Sequence, residues 1–156
     1  MVDVSAKPIT RRVAEASCRL RISAATVARL ADLPKGDAYA VARLAGIQAA
    51  KRTDEWIPLA HTLPLEQVAV ELEPDAEGVR IRSRIVVTAK TGAEMEALTA
   101  CAAAALALYD MVKAVERDAG VAGGPGVPDV RDRARRGAHQ RSPRRELHLG
   151  GLPPRP

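Results

Sequence analysis

The feature that most constrains this chain is a long apolar stripe at helical spacing. Met95, Leu98, Ala102, Ala105, Leu106, Tyr109, Val112 and Val115 follow one another at three- and four-residue steps, the period of one face of an α-helix. Thr91 and Glu94 stand three apart just ahead of it, the spacing of a capping box, and Gly120 closes the pattern. A helix this long must lay its stripe on another layer. The chain supplies that layer as strands. Val68 to Leu72 alternates, Asp75 to Gly78 reads as a turn, and Val79 to Val87 alternates with Arg80, Arg82 and Arg84 on the opposite face. The two runs predict a hairpin. Arg19 to Ile22 reads as a further short strand, whereas residues 1–18 show no clear period.

Two more helices are expected. Ser23 can cap one that holds Val27, Leu30 and Ala31, stopped by Pro34. Asp37 can cap another, with Val41, Leu44, Ala45 and Gln48 at helical spacing and Lys51-Arg52 at its end. Pro58 and Pro64 bracket an irregular stretch around His61. The pattern predicts an α+β fold, with helices packed on one face of an antiparallel sheet. Aromatics are only 2% of the 156 residues and Phe is absent. The core must therefore come from Ala, Val, Leu and Ile, which bury little area per residue, and contacts between subunits would help to stabilise it.

The formal charge of +5 is unevenly spread. Residues 1–130 carry 16 Lys/Arg against 17 Asp/Glu, a net −1, and residues 131–156 carry 8 against 2, a net +6. A basic nucleic-acid binder led by the tail arginines is the weaker reading, because the body is slightly acidic and the tail lacks the aromatics that stack on bases. From Gly120 the texture turns to Gly, Pro, Arg and His. Val127 to Val130 reads as one last strand. The expected organisation is a folded domain over 1–131 and a poorly ordered basic tail over 132–156. No apolar run approaches the roughly 20 residues that span a bilayer, and Asp3 breaks any leader pattern. A cytoplasmic protein is expected. Cys18 and Cys101 make no disulfide framework, and no His/Cys spacing suits a metal.

The candidate chemical groups are few. Lys35 precedes a helix start, where an anion could bind, or it is simply a loop lysine beside the cap. Lys51 and Arg52 suit a helix C-terminus, where cations are favoured. His61 is the only histidine before the tail. Glu94 and Glu96 open the long helix. Asp110 and Lys113, three apart, are neighbours on one helix face; an exposed ion pair and an acid–base pair with shifted pKa values are both compatible with that spacing. Glu94 and Asp110 lie 16 residues apart on one helix, or about 24 Å at 1.5 Å per residue. One small pocket in one chain cannot hold both, so a shared site would have to draw on a second subunit.

Taken in order, Met1-Val2-Asp3-Val4-Ser5-Ala6-Lys7, Lys35-Gly36-Asp37, Ala49 to Thr53, Ile57 to His61, Lys90 to Thr99 and Tyr109 to Val115 resemble the cyclic pyranopterin monophosphate synthase (MoaC) family of molybdenum cofactor biosynthesis, over roughly residues 1–117. The resemblance implies a ferredoxin-like fold and a homohexamer built as a trimer of dimers, with the site at the dimer interface. It implies conversion of a cyclic 3′,8-linked dihydroguanosine triphosphate to cyclic pyranopterin monophosphate and pyrophosphate, with no cofactor and no metal. By matching motif, Asp110 and Lys113 are the expected catalytic pair, with Lys51 and His61 also catalytic. Leu59, Ala60, His61, Met95, Glu96, Glu94, Lys35 and Arg12 are the expected substrate-binding positions.

The family pattern has Leu-Cys-His-Pro and Asp-Met-Cys-Lys where this chain has Leu59-Ala60-His61-Thr62 and Asp110-Met111-Val112-Lys113. It also ends in a Lys-Ser-Gly-Gly-like loop with a catalytic lysine. Here Arg135 stands at that register, and arginine is a poor proton donor. The abrupt tail resembles translation in a shifted frame. Two expectations follow: an active synthase, or a nucleotide-binding paralogue of it that turns over slowly.

Overall fold

The computed structural model describes residues 1–118 and 129–132. The chain runs β1 (Thr10–Leu20), α1 (Ala24–Val27), α2 (Ala38–Ala50), α3 (Thr53–Trp56), β2 (Leu65–Asp75), β3 (Gly78–Ala89), α4 (Glu94–Asp118) and β4 (Asp129–Asp132). The four strands lie in the order β2-β3-β1-β4, every neighbouring pair antiparallel. This is the split βαβ arrangement of a ferredoxin-like fold, as expected, with α2 and α4 on one face.

β1 corrects the short strand expected at Arg19 to Ile22. It begins at Thr10 and pairs along its whole length with β3, from Thr10 opposite Ala89 to Leu20 opposite Val79. Its inward residues are Ala14, Ala16, Cys18 and Leu20, all buried. Three of these are small, so the alternation carries little hydrophobic contrast. The β2–β3 hairpin forms where predicted, turning at Asp75 to Gly78. Val79, Ile81, Ser83, Ile85 and Val87 point into the core. The outward face is laced by ion pairs from Arg19 to Asp75, Arg82 to Glu73 and Arg84 to Glu15.

α2 also departs from expectation. Asp37 caps it as predicted, its Oδ1 accepting from the amides of Tyr39 and Ala40. However, Val41 and Leu44 are 41% and 56% exposed, and the buried side is Ala38, Ala42, Gly46, Ala49 and Ala50. Close approach is the reason. A Cβ on Gly46 would stand 2.9 Å from the Ala100 carbonyl and 3.2 Å from the Ala104 Cβ of α4. Only small residues fit between the two helices.

The helix expected after Ser23 is a single turn, α1. Ser23 does cap it, accepting from Thr26 N, and the chain continues as turns with Leu30 fully buried and Ala31 exposed. α3 was not anticipated. α4 forms as predicted, but it begins at Glu94 rather than after a Thr91 cap. Its first hydrogen bond runs from Ala97 N to Ala93 O. The Arg12 guanidinium holds the carbonyls of Ala89 and Lys90, and Lys90 Nζ donates to Ser5 O. These contacts hold the bend at Lys90 and Thr91 between β3 and α4, and the Glu94 carboxylate folds back over Gly92. Contrary to the expectation that no segment approaches a bilayer span, Glu94–Glu116 is long and apolar enough by composition because its alanines raise the average across scattered polar residues, but half of that window is buried. The stripe that lies on the sheet differs from the expected one: Ala97, Ala100, Cys101, Ala104, Leu108 and Val112 are the core contacts, whereas Met95 and Leu106 are exposed, because the close approach of α2 and the sheet admits small side chains.

Candidate active site

α4 carries two groups of polar side chains, one at each end. The downstream group is Lys35, Asp110 and Lys113. Asp110 and Lys113 share a face of the helix, and Lys113 Nζ lies 2.6 Å from Asp110 Oδ1. Lys35 reaches the same carboxylate from the loop ahead of α2. Its Nζ is 2.7 Å from Asp110 Oδ2 and donates to the Asp110 carbonyl at 3.0 Å. The loop is tight because Gly36 takes φ +97°, a conformation that favours glycine, and its amide returns to Leu33 O at 2.8 Å.

Hydrogen bonds from Lys113 and then Lys35 hold the Asp110 carboxyl down to about 2. The two side chains meet as their spacing predicts, and the Asp110 shift comes from two ammonium groups rather than from burial. All three side chains are about half exposed. Two cations against one anion leave a positive excess that suits phosphate.

The upstream group surrounds the start of α4. Glu94 is its first residue and exposed, whereas Glu96 is 4% exposed. Burial pushes the Glu96 carboxyl up, and the nearby charges of Glu94 and Asp54 add to the effect. Asp54 accepts from Thr62 Oγ1 at 2.5 Å, which ties α3 to the His61 stretch. His61 Nε2 lies 3.0 Å from the Val2 carbonyl. That contact needs the proton on Nε2, so Nδ1 is the acceptor of the neutral ring. Leu59 is 71% exposed and Met95 38%. Lys51 is the exposed C-cap of α2, and Ala60 is half-buried beside His61.

The structure thus brings Lys35, Asp110 and Lys113 together and leaves Glu94 and Glu96 about four turns away along the helix. Among the described residues, no three His, Cys, Asp or Glu side chains are grouped to hold a metal. The segment from Met1 to Lys7, noted in the sequence for its motif alone, forms an N-terminal arm in which Asp3 accepts from Ser5 N and Ser5 O accepts from Lys90. No periodicity marks residues 1–9, so only three-dimensional placement reveals it. Arg135 lies outside the described residues.

A family model described as the MoaC family matches residues 1–124. The chain belongs to the MoaC family. Its similar relatives include proteins named cyclic pyranopterin monophosphate synthase. That of Dinoroseobacter shibae is 53% identical over 121 residues, 75% of this chain and 77% of the relative. Those of Corynebacterium efficiens and Herpetosiphon aurantiacus are both 52% identical, over 125 and 121 residues, covering 79% and 75% of this chain and 81% and 74% of the relatives. The MoaC match takes in every candidate site residue from Arg12 to Lys113 and stops short of the Arg-rich tail.

Proposed function

We propose that this chain is a cyclic pyranopterin monophosphate synthase, a lyase of molybdenum cofactor biosynthesis acting in the cytoplasm. It takes (8S)-3′,8-cyclo-7,8-dihydroguanosine 5′-triphosphate to cyclic pyranopterin monophosphate and releases pyrophosphate. The observation that carries the chemistry is the Asp110 carboxylate gripped by Lys35 and Lys113, in a chain about half identical to synthases over most of its length. Lys35, Lys51 and Arg12 bind the triphosphate. Asp110 and Lys113 form the acid–base pair, with Lys51 supporting it. His61 moves protons on the purine-derived ring beside Glu94 and Glu96, and Leu59, Ala60 and Met95 wall the ring.

The roughly 24 Å along α4 between Glu94 and Asp110 favours a site completed across a dimer interface. The assembly is a homohexamer, a trimer of dimers. Exposed Val41, Leu44 and Leu106 on the helical layer supply apolar surface for such contacts. No metal, redox cofactor, membrane or nucleic acid takes part.

The deciding experiment incubates the purified full chain with the cyclic dihydroguanosine triphosphate and follows pyranopterin and pyrophosphate. Both products appearing supports the synthase. A second reading, a nucleotide-binding paralogue that turns over slowly, is favoured by the end of the family match at residue 124, ahead of the register where Arg135 replaces a lysine. Substrate binding without either product would select it.

A further inference from the structure

Glu116, near the end of α4, is a carboxylate only 1% exposed, and nothing above uses it. Its Oε1 accepts from Ser23 N at 2.8 Å and lies 2.9 Å from Ser23 Oγ. The same hydroxyl accepts from Thr26 N at 3.2 Å and stands 3.1 Å from Thr26 Oγ1. Thr26 is itself 1% exposed. An apolar side chain would fill this space with no charge to desolvate. A buried carboxylate with its donors in place instead selects one geometry.

From Ser23 the chain runs through α1 and a series of closed turns. Arg29 N bonds Thr26 O, Leu30 N bonds Val27 O, Gly36 N bonds Leu33 O and Ala38 N bonds Leu30 O. Leu30 is fully buried beneath them. The last of these turns delivers Lys35 Nζ to Asp110. The segment is therefore fastened to α4 at two points, Glu116 at its start and Asp110 near its end, roughly 9 Å apart along the helix axis.

We propose that Glu116 is a positioning residue: through Ser23 and Thr26 it fixes residues 23–37 on α4 and so sets the Lys35 ammonium against the Asp110 carboxylate. Its consequence for turnover rests on the proposed function; its consequence for Asp110 does not.

The test is a double-mutant cycle with Glu116→Leu, Lys35→Ala and the pair, each checked for fold by circular dichroism. The first readout is the Asp110 carboxyl titration by carbon NMR. Lys35→Ala raises its midpoint, Glu116→Leu raises it by a similar amount, and the pair raises it no further, because both changes remove the same contact. An unmoved midpoint in Glu116→Leu, or additive shifts in the pair, overturns the proposal.

The second readout is kcat, which falls about tenfold or more in Glu116→Leu with no added loss in the Lys35→Ala background. Additive losses overturn the proposal here too. If the unaltered chain makes no product, the proposed function fails and the titration alone decides the role of Glu116. If Glu116→Leu does not fold, Ser23→Ala replaces it in the cycle. That variant removes one donor to the carboxylate and is expected to raise the Asp110 midpoint in the same direction, with no change counting against the role.

Discussion

Lys35 and Asp110 are 75 positions apart in the chain, yet the lysine ammonium meets both the carboxylate and the backbone carbonyl of the aspartate. Together with Lys113 it keeps Asp110 ionised far below the usual carboxylate range. If Asp110 is the acid–base group, Asp110→Asn keeps the shape and removes the function. We expect kcat to fall by about a hundredfold or more, with the circular dichroism spectrum and the assembly unchanged. Product formation at the rate of the unaltered chain would sink the assignment.

The two lysines do not contribute equally. The Lys113 hydrogen bond is the larger cause of the low Asp110 pKa, and the Lys35 bond the smaller. Lys113→Ala should therefore raise the Asp110 titration midpoint more than Lys35→Ala does. The native pKa lies below the unfolded value, so the stability this group supplies is complete above the unfolded pKa. It is lost as pH falls through about 2. Both lysine variants should lose it at a higher pH. Acid unfolding curves and carboxyl NMR would read the order, and the reverse order would contradict the geometry.

Glu96 has the opposite sign. Burial raises its native pKa above the unfolded one, so the folded state holds the proton longer. Its stability contribution is complete below the unfolded pKa and declines as pH rises through the native pKa. Glu96→Gln removes that decline. The variant should match or trail the parent in urea midpoint at about pH 4 and exceed it at mildly alkaline pH. A midpoint difference independent of pH would show that Glu96 does not titrate between those points.

Gly46→Ala pits propensity against space. Alanine is worth about 1 kcal/mol over glycine inside a helix. Here its methyl would meet a backbone carbonyl of α4 at 2.9 Å, and a backbone oxygen cannot swing aside. Overpacking of this kind costs about 1–3 kcal/mol, so net destabilisation is expected. A raised urea midpoint would mean that α2 and α4 slide apart more easily than their packing indicates.

The exposed apolar positions on the helical layer offer a test of assembly. Leu44 is 56% exposed on α2 and Leu106 59% on α4. In a homohexamer that covers them, Leu44→Glu with Leu106→Glu should yield smaller species by light scattering, with the secondary structure kept. An unchanged mass would place the subunit contacts elsewhere.

The sequence was most readable where hydrophobic contrast was strong. The Val79 to Val87 alternation became a strand on the expected face, and the stripe from Met95 to Val115 became a helix, but that helix turns Ala97, Ala100, Cys101, Ala104 and Leu108 inward and leaves Met95 and Leu106 exposed. β1 was hard to see because its inward side is Ala14, Ala16 and Cys18, scarcely different in character from a loop. α2 misled for a related reason. A reading ranked by hydrophobicity turned Val41 and Leu44 inward, whereas the helix pair is governed by size and turned Ala42 and Gly46 inward instead. Asp110 and Lys113 were legible as neighbours from their spacing alone. The third member, Lys35, stands out in the sequence only by its place before a helix, and its aspartate partner is invisible there, because nothing local encodes a contact across 75 residues. Glu116 left no mark, since an acid in a helix sequence looks like surface until its donors are seen.

The scarcity of aromatics has a practical consequence at α3. Trp56 is the single tryptophan. It is 54% exposed and lies between the Lys51-Arg52 corner and the Leu59 to His61 stretch. Intrinsic fluorescence from this chain therefore reports on that corner rather than on the core. A change of environment at the α3 corner would shift the emission with little background from the core, which holds no tryptophan.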